Sequence, residues 1–180
     1  MKKIILIIVA IILLSLFVFV FNTVNVGEGN EKMELKSSVF EKNGRIPSKY
    51  TCDGENVNPP LIISEVPDNA KSLVLIMDDP DALKPAGKVW DHWIVFNIPV
   101  ETKEVLENTE LEGVQGMTSF GKVGYGGPCP PDAEHRYFFK LYALDIKLDL
   151  SQGSEKTEVE EAMQGHIIEQ TELVGRYERQ

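Results

Sequence analysis

Residues 121–137, GKVGYGGPCPPDAEHRY, constrain the fold of the chain more strongly than any other stretch. Glycines are followed by prolines there, at Gly124, Gly126 and Gly127 and then at Pro128, Pro130 and Pro131. The glycines leave the backbone free for positive φ and for close approach to a ligand, and each proline fixes φ. Residues 128–131, PCPP, can therefore be neither a helix interior nor a central strand. A rigid loop beside a histidine and a tyrosine is suited to binding a phosphate or carboxylate group. A tight connection between two strands accounts for the same residues equally well.

Apolar runs on both sides of this loop predict strands. Residues 72–77 are continuously apolar after Ser72, which is typical of a strand buried on both faces, and residues 93–98 and 137–144 also read as strands. A short helix is predicted at residues 157–164, with Thr157 as N-cap and Glu160 completing a capping box, a helical turn at 101–107 and a final strand at 172–177. Because βαβ units need a helix after nearly every strand, this pattern favours a mainly β domain with antiparallel sheets.

Polar residues stand where these strands begin or end. Asp79 follows the first run, His92 precedes the second, and His135 and Tyr137 start the third on one shared face. If residues 79–81 are extended, Asp79 and Asp81 project to one side. Neighbouring strands would bring the carboxylate, the two histidines and the glycine-proline loop to one rim. Each residue alone has an ordinary structural explanation, such as a turn or a satisfied histidine.

The N-terminus predicts a membrane anchor. Residues 4–21 are apolar apart from Ser15 and come close to the length that spans a bilayer. Lys2 and Lys3 precede this run and acidic residues follow it, so the positive-inside tendency places the rest of the chain outside the cytoplasm. A cleaved signal peptide, giving a secreted protein, is the alternative. The predicted organisation is an anchor at residues 1–21, a linker at 22–33 and one domain at 34–180.

Charge and cysteine content restrict the partners and the compartment. All 28 acidic residues but only 16 of the 18 lysines and arginines follow the apolar run, which leaves a net charge of −12 on that part of the chain. Such an acidic surface disfavours nucleic acid as a partner. Cys52 and Cys129 permit one disulfide outside the cytoplasm, and two free buried thiols remain the alternative.

Several spaced motifs resemble the phosphatidylethanolamine-binding protein family, also called Raf-kinase-inhibitor-like proteins, in its shorter prokaryotic branch, the YbhB/YbcL-like proteins. The likeness covers about residues 36–179, in the order in which the family has its motifs. The matching segments are YTCDG at 50–54, NPPL at 58–61, DPDA at 79–82, HW at 92–93, GYGGPCPP at 124–131, HRY at 135–137, YALD at 142–145, GH at 165–166 and LVGRY at 173–177.

This resemblance implies a β-sandwich core with small peripheral helices and a pocket for phosphate-type anions. Carried over by position, the pocket would use Asp79, His92, Gly127, Pro128, His135 and Tyr137. The family is not regarded as enzymatic, and no cofactor is implied. We therefore expect a membrane-tethered, extracytoplasmic domain that binds a small phosphorylated or other anionic ligand, with backbone N–H groups of the loop aimed at the ligand.

The chain departs from the family pattern at two positions near the pocket. Leu83 stands where many members have proline, and Asp91 stands where animal members have a histidine. One alternative function is inhibition of a protease or kinase by contact, through the loop at residues 82–88. The other is a metal-dependent hydrolase, in which Asp79, His92 and His135 would hold Zn²⁺.

Overall fold

In the computed structural model, the described part of the chain is Lys32–Gln180. The predicted anchor at residues 1–21 and nearly all of the predicted linker lie outside the described residues. No helix within 32–180 is long and apolar enough to cross a membrane.

The described residues are mainly β. The strands are β1 (Glu34–Ser37), β2 (Leu61–Ser64), β3 (Ser72–Asp79), β4 (Trp90–Ile98), β5 (Glu104–Val105), β6 (Val114–Gln115), β7 (His135–Leu144) and β8 (Ile167–Tyr177). Short α-helices lie at α1 (Leu83–Ala86) and α2 (Lys156–Met163), and 3₁₀ turns at Ser48–Tyr50 and Pro80–Ala82. The prediction of a mainly β fold with few short helices is confirmed.

The strands form two sheets, and within each sheet every pair of neighbouring strands is antiparallel, as predicted. The smaller sheet has the order β1-β2-β5, and the larger has the order β6-β4-β3-β7-β8. All eight residues of the central strand β3 are buried. Its continuous apolar sequence fits this position, because a central strand covered on both faces exposes no side to water.

The larger sheet is covered on both faces by apolar side chains. On one face, Leu75 and Tyr137 share a core cluster with Leu35 and Leu61 of the smaller sheet. On the other face, residues such as Ile76 pack in a second cluster with the apolar side of α2. The two sheets therefore enclose one core between them, as in a sandwich, and the helix covers the outer face.

A bulge in β4 decides which face His92 occupies. Met77 pairs with Trp93, but the next residue, Asp78, pairs with Asp91, so His92 is an extra residue opposite β3. Simple alternation would place His92 on the opposite face from Trp93. The bulge instead turns it towards Tyr137, whose ring lies 5.2 Å from the His92 ring between centroids.

Three local predictions need correction. The predicted helical turn at 101–107 contains strand β5, because it pairs with β2. Helix α2 begins at Lys156, and its capping box is formed by Glu155 and Glu158 instead of Thr157 and Glu160. The last strand begins at Ile167, since β8 pairs with β7 along nearly the whole length of that strand.

Candidate functional site

A cavity of about 340 Å³ opens where β3 ends and where β4 and β7 begin. It is lined by Asp79, His92 and His135, the three residues that the sequence places at strand boundaries. The remaining lining is mostly apolar and includes Ala82, Pro85, Trp90, Phe120, Pro130 and Pro131. The structure thus brings the predicted carboxylate and both predicted histidines to one cavity, which has the apolar walls and few polar groups of a ligand pocket.

Asp79 is held in place by the turn that follows it. One of its carboxylate oxygens, Oδ1, accepts a hydrogen bond from the Ala82 backbone N–H at 3.1 Å and so caps the 3₁₀ turn. Its other oxygen, Oδ2, lies 2.7 Å from Nδ1 of His135. Because of this turn, residues 79–81 are not extended, so the condition under which Asp79 and Asp81 were expected to project to one side is not met. Asp81 instead accepts hydrogen bonds from Arg136.

His135 lies between two carboxylates. Its Nδ1 contacts Asp79, and its Nε2 lies 3.0 Å from Oδ1 of Asp132, a side chain that is 47% exposed. Burial by itself lowers the pKa of His135, but the hydrogen bonds and negative charges of Asp79 and Asp132 outweigh it, so the pKa is raised. His135 is therefore favoured as an imidazolium whose two N–H groups are both engaged within the protein.

His92 has the opposite electrostatic character. Its Nδ1 lies 2.6 Å from the carbonyl oxygen of Gly126. Burial, which is the largest influence, lowers the pKa of His92 below its usual value. Within residues 32–180, Nε2 of His92 has no hydrogen-bond partner. The surroundings therefore shift the pKa values of the two histidines in opposite directions.

Tyr137 lies behind the two histidines, with its ring centroid 5.2 Å from that of His92 and 6.5 Å from that of His135. The side chain is fully buried, and its hydroxyl group has no hydrogen-bond partner among the described residues. Burial raises the pKa of this phenol, so its proton stays in place. A buried polar group without a partner is uncommon in proteins and is often found at functional sites.

Gly127 and Pro128 are not among the residues that line the cavity. The Gly127 N–H donates to Oδ1 of Asn56 at 2.8 Å, and the Pro128 carbonyl accepts from Cys52 N at 3.0 Å. A Cβ atom at position 127 would lie 2.5 Å from the Tyr50 carbonyl oxygen, so this position needs glycine for packing. In the structure, the N–H of Gly127 and the carbonyl of Pro128 therefore form hydrogen bonds that hold the loop in place.

A disulfide also fastens this loop. Cys52 and Cys129, whose pairing the sequence left open, are bonded with their Cα atoms 5.4 Å apart. Cys129 lines the cavity next to Pro130 and Pro131. The proline-rich wall is therefore covalently attached to the segment that follows the first 3₁₀ turn.

Two lysines that sequence reasoning missed lie over aromatic rings of the cavity lining. The Nζ atom of Lys88 lies 5.1 Å from the ring centroid of Trp90, and that of Lys122 lies 6.0 Å from the ring of Phe120. Both rings line the cavity. Neither lysine forms a salt bridge within residues 32–180. Neither lysine belongs to a motif from which the pocket was predicted, although each lies only two positions along the chain from the ring that it contacts.

The predicted zinc alternative finds little support in the arrangement of donors. In the described part of the chain, no group of three or more His, Cys, Asp or Glu side chains is placed to hold a metal ion. Both ring nitrogens of His135 are already engaged with carboxylates.

Comparison with known proteins assigns the chain to a family. The sequence profile of the family described as phosphatidylethanolamine-binding protein matches residues 36–178. The chain belongs to the phosphatidylethanolamine-binding protein family. The resemblance that the spaced motifs indicate is thereby confirmed.

Members of this family from archaea and bacteria are similar over nearly their whole length. A UPF0098 protein of Methanothermobacter thermautotrophicus is 52% identical over 153 residues, covering 82% of this chain and 99% of that protein. A phosphatidylethanolamine-binding protein homologue from Chlamydia trachomatis, known from its crystal structure, is 45% identical in sequence and matches with a TM-score of 0.79. The match covers 83% of this chain and 99% of that one. Escherichia coli YbcL, described as a new member of the mammalian family, is 30% identical, with a TM-score of 0.76, and covers 83% of this chain and 100% of that one.

Proposed function

We propose that this protein binds a small phosphorylated or other anionic ligand in the cavity of Asp79, His92 and His135. The observation that carries the proposal is that these titratable residues, which come from three strands, meet at one largely apolar cavity. Clusters of buried groups with perturbed pKa values in a cavity are typical of binding and active sites. Membership of the phosphatidylethanolamine-binding protein family supports the proposal.

The charges around the cavity support an anionic guest. Lys88 and Lys122 supply positive charge without a carboxylate partner among the described residues, on a strongly acidic chain. An imidazolium at His135 adds a third positive charge beside the two negative charges of Asp79 and Asp132, which leaves a net charge of +1 (3 − 2) on these five groups. Because the Asp132 side chain is about half exposed, it is free to turn towards solvent and leave Nε2 of His135 to a ligand.

We place this binding domain outside the cytoplasm, attached by a helix at residues 1–21, with cleavage and secretion as the alternative. The apolar segment and the lysines before it support an anchor. The Cys52–Cys129 disulfide supports the compartment, because disulfides persist in oxidising environments and are rare in the cytosol.

Calorimetric titration of the full chain with phosphate, nucleotides and phosphoethanolamine tests the proposal. We expect one of these ligands to bind, and we expect His135→Ala to weaken its binding at least tenfold, since a charge-assisted contact contributes about 1.5–3 kcal/mol. His166→Ala is the matched control, because His166 pairs with Asp145 and does not line the cavity. Absence of heat with all three ligands, or unchanged binding by His135→Ala, would refute the proposal.

Contact inhibition of a protease or kinase and metal-dependent hydrolysis stay predictions from the sequence. Leu83, in the loop suggested for contact, is 59% exposed. A single exposed apolar side chain is ordinary for a protein surface, and it does not favour inhibition over anion binding.

A further inference from the structure

We propose that the cavity selects anions that bring a hydrogen-bond donor of their own, and therefore prefers phosphate with a retained O–H group to sulfate. The proposal deepens the anion-binding function and rests on it. It assigns the selectivity to Nε2 of His92, which the backbone fixes as a hydrogen-bond acceptor.

The tautomer of His92 follows from its partner. A carbonyl oxygen can only accept, so the 2.6 Å contact with Gly126 O requires the proton to be on Nδ1. In the neutral ring, Nε2 is then an acceptor with a free lone pair. The carbonyl is itself held in position, because the Gly126 N–H donates to the carbonyl of His92 at 2.9 Å.

The ring cannot readily turn over to present its other nitrogen. It lies between the rings of Phe120 and Tyr137, with centroid distances of 5.4 and 5.2 Å and edge-to-face angles of 73° and 83°. His92 is 3% exposed. Turning the ring would break the Gly126 hydrogen bond inside this packed environment, and a buried carbonyl left without a donor is costly.

The other titratable groups of the lining offer at most one donor. Asp79 presents only carboxylate oxygens, the Nδ1–H of His135 is engaged with Asp79, and the Nε2–H of His135 reaches a ligand only when Asp132 turns away. A guest that reaches the inner part of the cavity therefore meets acceptors at His92 and Asp79. An oxyanion without a proton would face them lone pair to lone pair, which is repulsive.

Phosphate and sulfate differ in this one respect. Both are tetrahedral oxyanions of similar size, but inorganic phosphate keeps at least one O–H group near neutral pH and sulfate keeps none. A phosphomonoester retains its last proton only around and below its second pKa, near 6. A site built to pair with a hydroxyl group strongly rejects an analogue that lacks it, because its polar groups are left unpaired.

The first test compares inorganic phosphate with sulfate by calorimetry on the unmodified full chain at pH 7 and constant ionic strength. We expect phosphate to bind at least about tenfold more tightly. Equal affinities, or tighter sulfate binding, would overturn the selectivity and leave the anion-binding function intact. If neither anion nor any phosphorylated ligand binds, the proposed function fails, and this inference fails with it.

The second test assigns the selectivity to His92. In His92→Gln an amide N–H becomes available as a donor, so we expect sulfate affinity to rise and the phosphate preference to fall to about threefold or less. His166→Gln should keep the wild-type ratio. An unchanged ratio in a His92→Gln protein with a normal unfolding transition would place the selectivity elsewhere.

A direct measurement covers the case in which His92→Gln does not fold. Nitrogen-15 NMR of the imidazole rings in the unmodified protein distinguishes a protonated ring nitrogen from a bare one. We expect His92 to carry its proton on Nδ1 at neutral pH. A proton on Nε2 would overturn the inference.

Discussion

The two faces of the larger sheet carry very different chemistry at the same strand ends. Asp78 and Asp79 are neighbours on β3, and Asp91 and His92 are neighbours on β4. Asp79 and His92 line the cavity. Asp78 and Asp91 lie on the other face and both pair with Lys156, the first residue of α2.

On the outer face, charges of opposite sign meet. Oδ2 of Asp78 accepts hydrogen bonds from Lys140 at 2.8 Å and from Lys156 at 2.9 Å, and Lys156 also reaches Asp91 at 2.9 Å. The pKa of Lys156 is raised, because these carboxylates outweigh the lowering effect of its burial. Such a network attaches the helix to the sheet, although Oδ1 of Asp78 is buried without a hydrogen-bond partner among the described residues.

On the cavity face, polar capacity remains unused. Among residues 32–180, Nε2 of His92 and the hydroxyl group of Tyr137 have no hydrogen-bond partner, and Lys88 and Lys122 form no salt bridge. A buried polar atom without a partner does not by itself distinguish the faces, because Oδ1 of Asp78 is also unpartnered on the outer face. The faces differ in that the carboxylates of the outer face form salt bridges to lysines, whereas His92 on the cavity face keeps an unpaired ring nitrogen at a cavity.

The largest expected effect concerns the wall of the cavity. Replacing both cysteines, by Cys52→Ser with Cys129→Ser, should lower the free energy of unfolding by about 3–4 kcal/mol, because the bridged residues are 77 positions apart and the unfolded chain gains freedom. Denaturant unfolding measures the change. A loss below about 1 kcal/mol would show that the cavity wall does not depend on the bond for its stability.

The next effect concerns the outer face. Lys156→Met should lower the free energy of unfolding by about 2–3 kcal/mol, because buried Asp78 then keeps only Lys140 and Asp91 loses its partner. Methionine keeps the helix propensity and most of the volume of lysine, so packing changes little.

Two comparisons make the Lys156 result specific. Lys147→Met removes an exposed lysine that has no salt bridge among the described residues, and it should change stability by less than about 0.5 kcal/mol. Anion affinity should be unaffected by Lys156→Met. Loss of binding in a folded Lys156→Met protein would mean that the two faces are not independent.

The smallest effect separates the two histidines by pH. The raised pKa of His135 contributes stability that is present below the ordinary histidine value of about 6.5 and is lost as pH rises through the folded-state pKa. The lowered pKa of His92 acts oppositely, since the folded state resists its protonation and stability falls as pH drops below about 6.5. Proton NMR of the rings measures both pKa values.

A variant sharpens the pH comparison. Asp132→Asn should lower the pKa of His135, because one of its two carboxylate partners becomes neutral, and should leave His92 nearly unchanged. Coincident titration of the two histidines in the unmodified protein would contradict their assignment to opposite charge states.

Much of the fold and the types of residue at the site were predictable from the sequence. The apolar composition of residues 72–77 predicts a central strand, and the glycines and prolines of residues 124–131 exclude a helix there. Asp79, His92 and His135 were identifiable because polar residues at the ends of apolar strands are locally visible. These properties belong to residues that are neighbours along the chain, so they can be recognised from the sequence alone.

Only the tertiary structure decided how those residues meet. The bulge that turns His92 towards Tyr137 depends on the register between β3 and β4. The disulfide between Cys52 and Cys129 and the hydrogen bond from Gly127 to Asn56 each join segments that are about 70 positions or more apart in the chain. Such features result from packing between distant segments, and local sequence patterns carry no information about which distant groups will come within hydrogen-bonding distance.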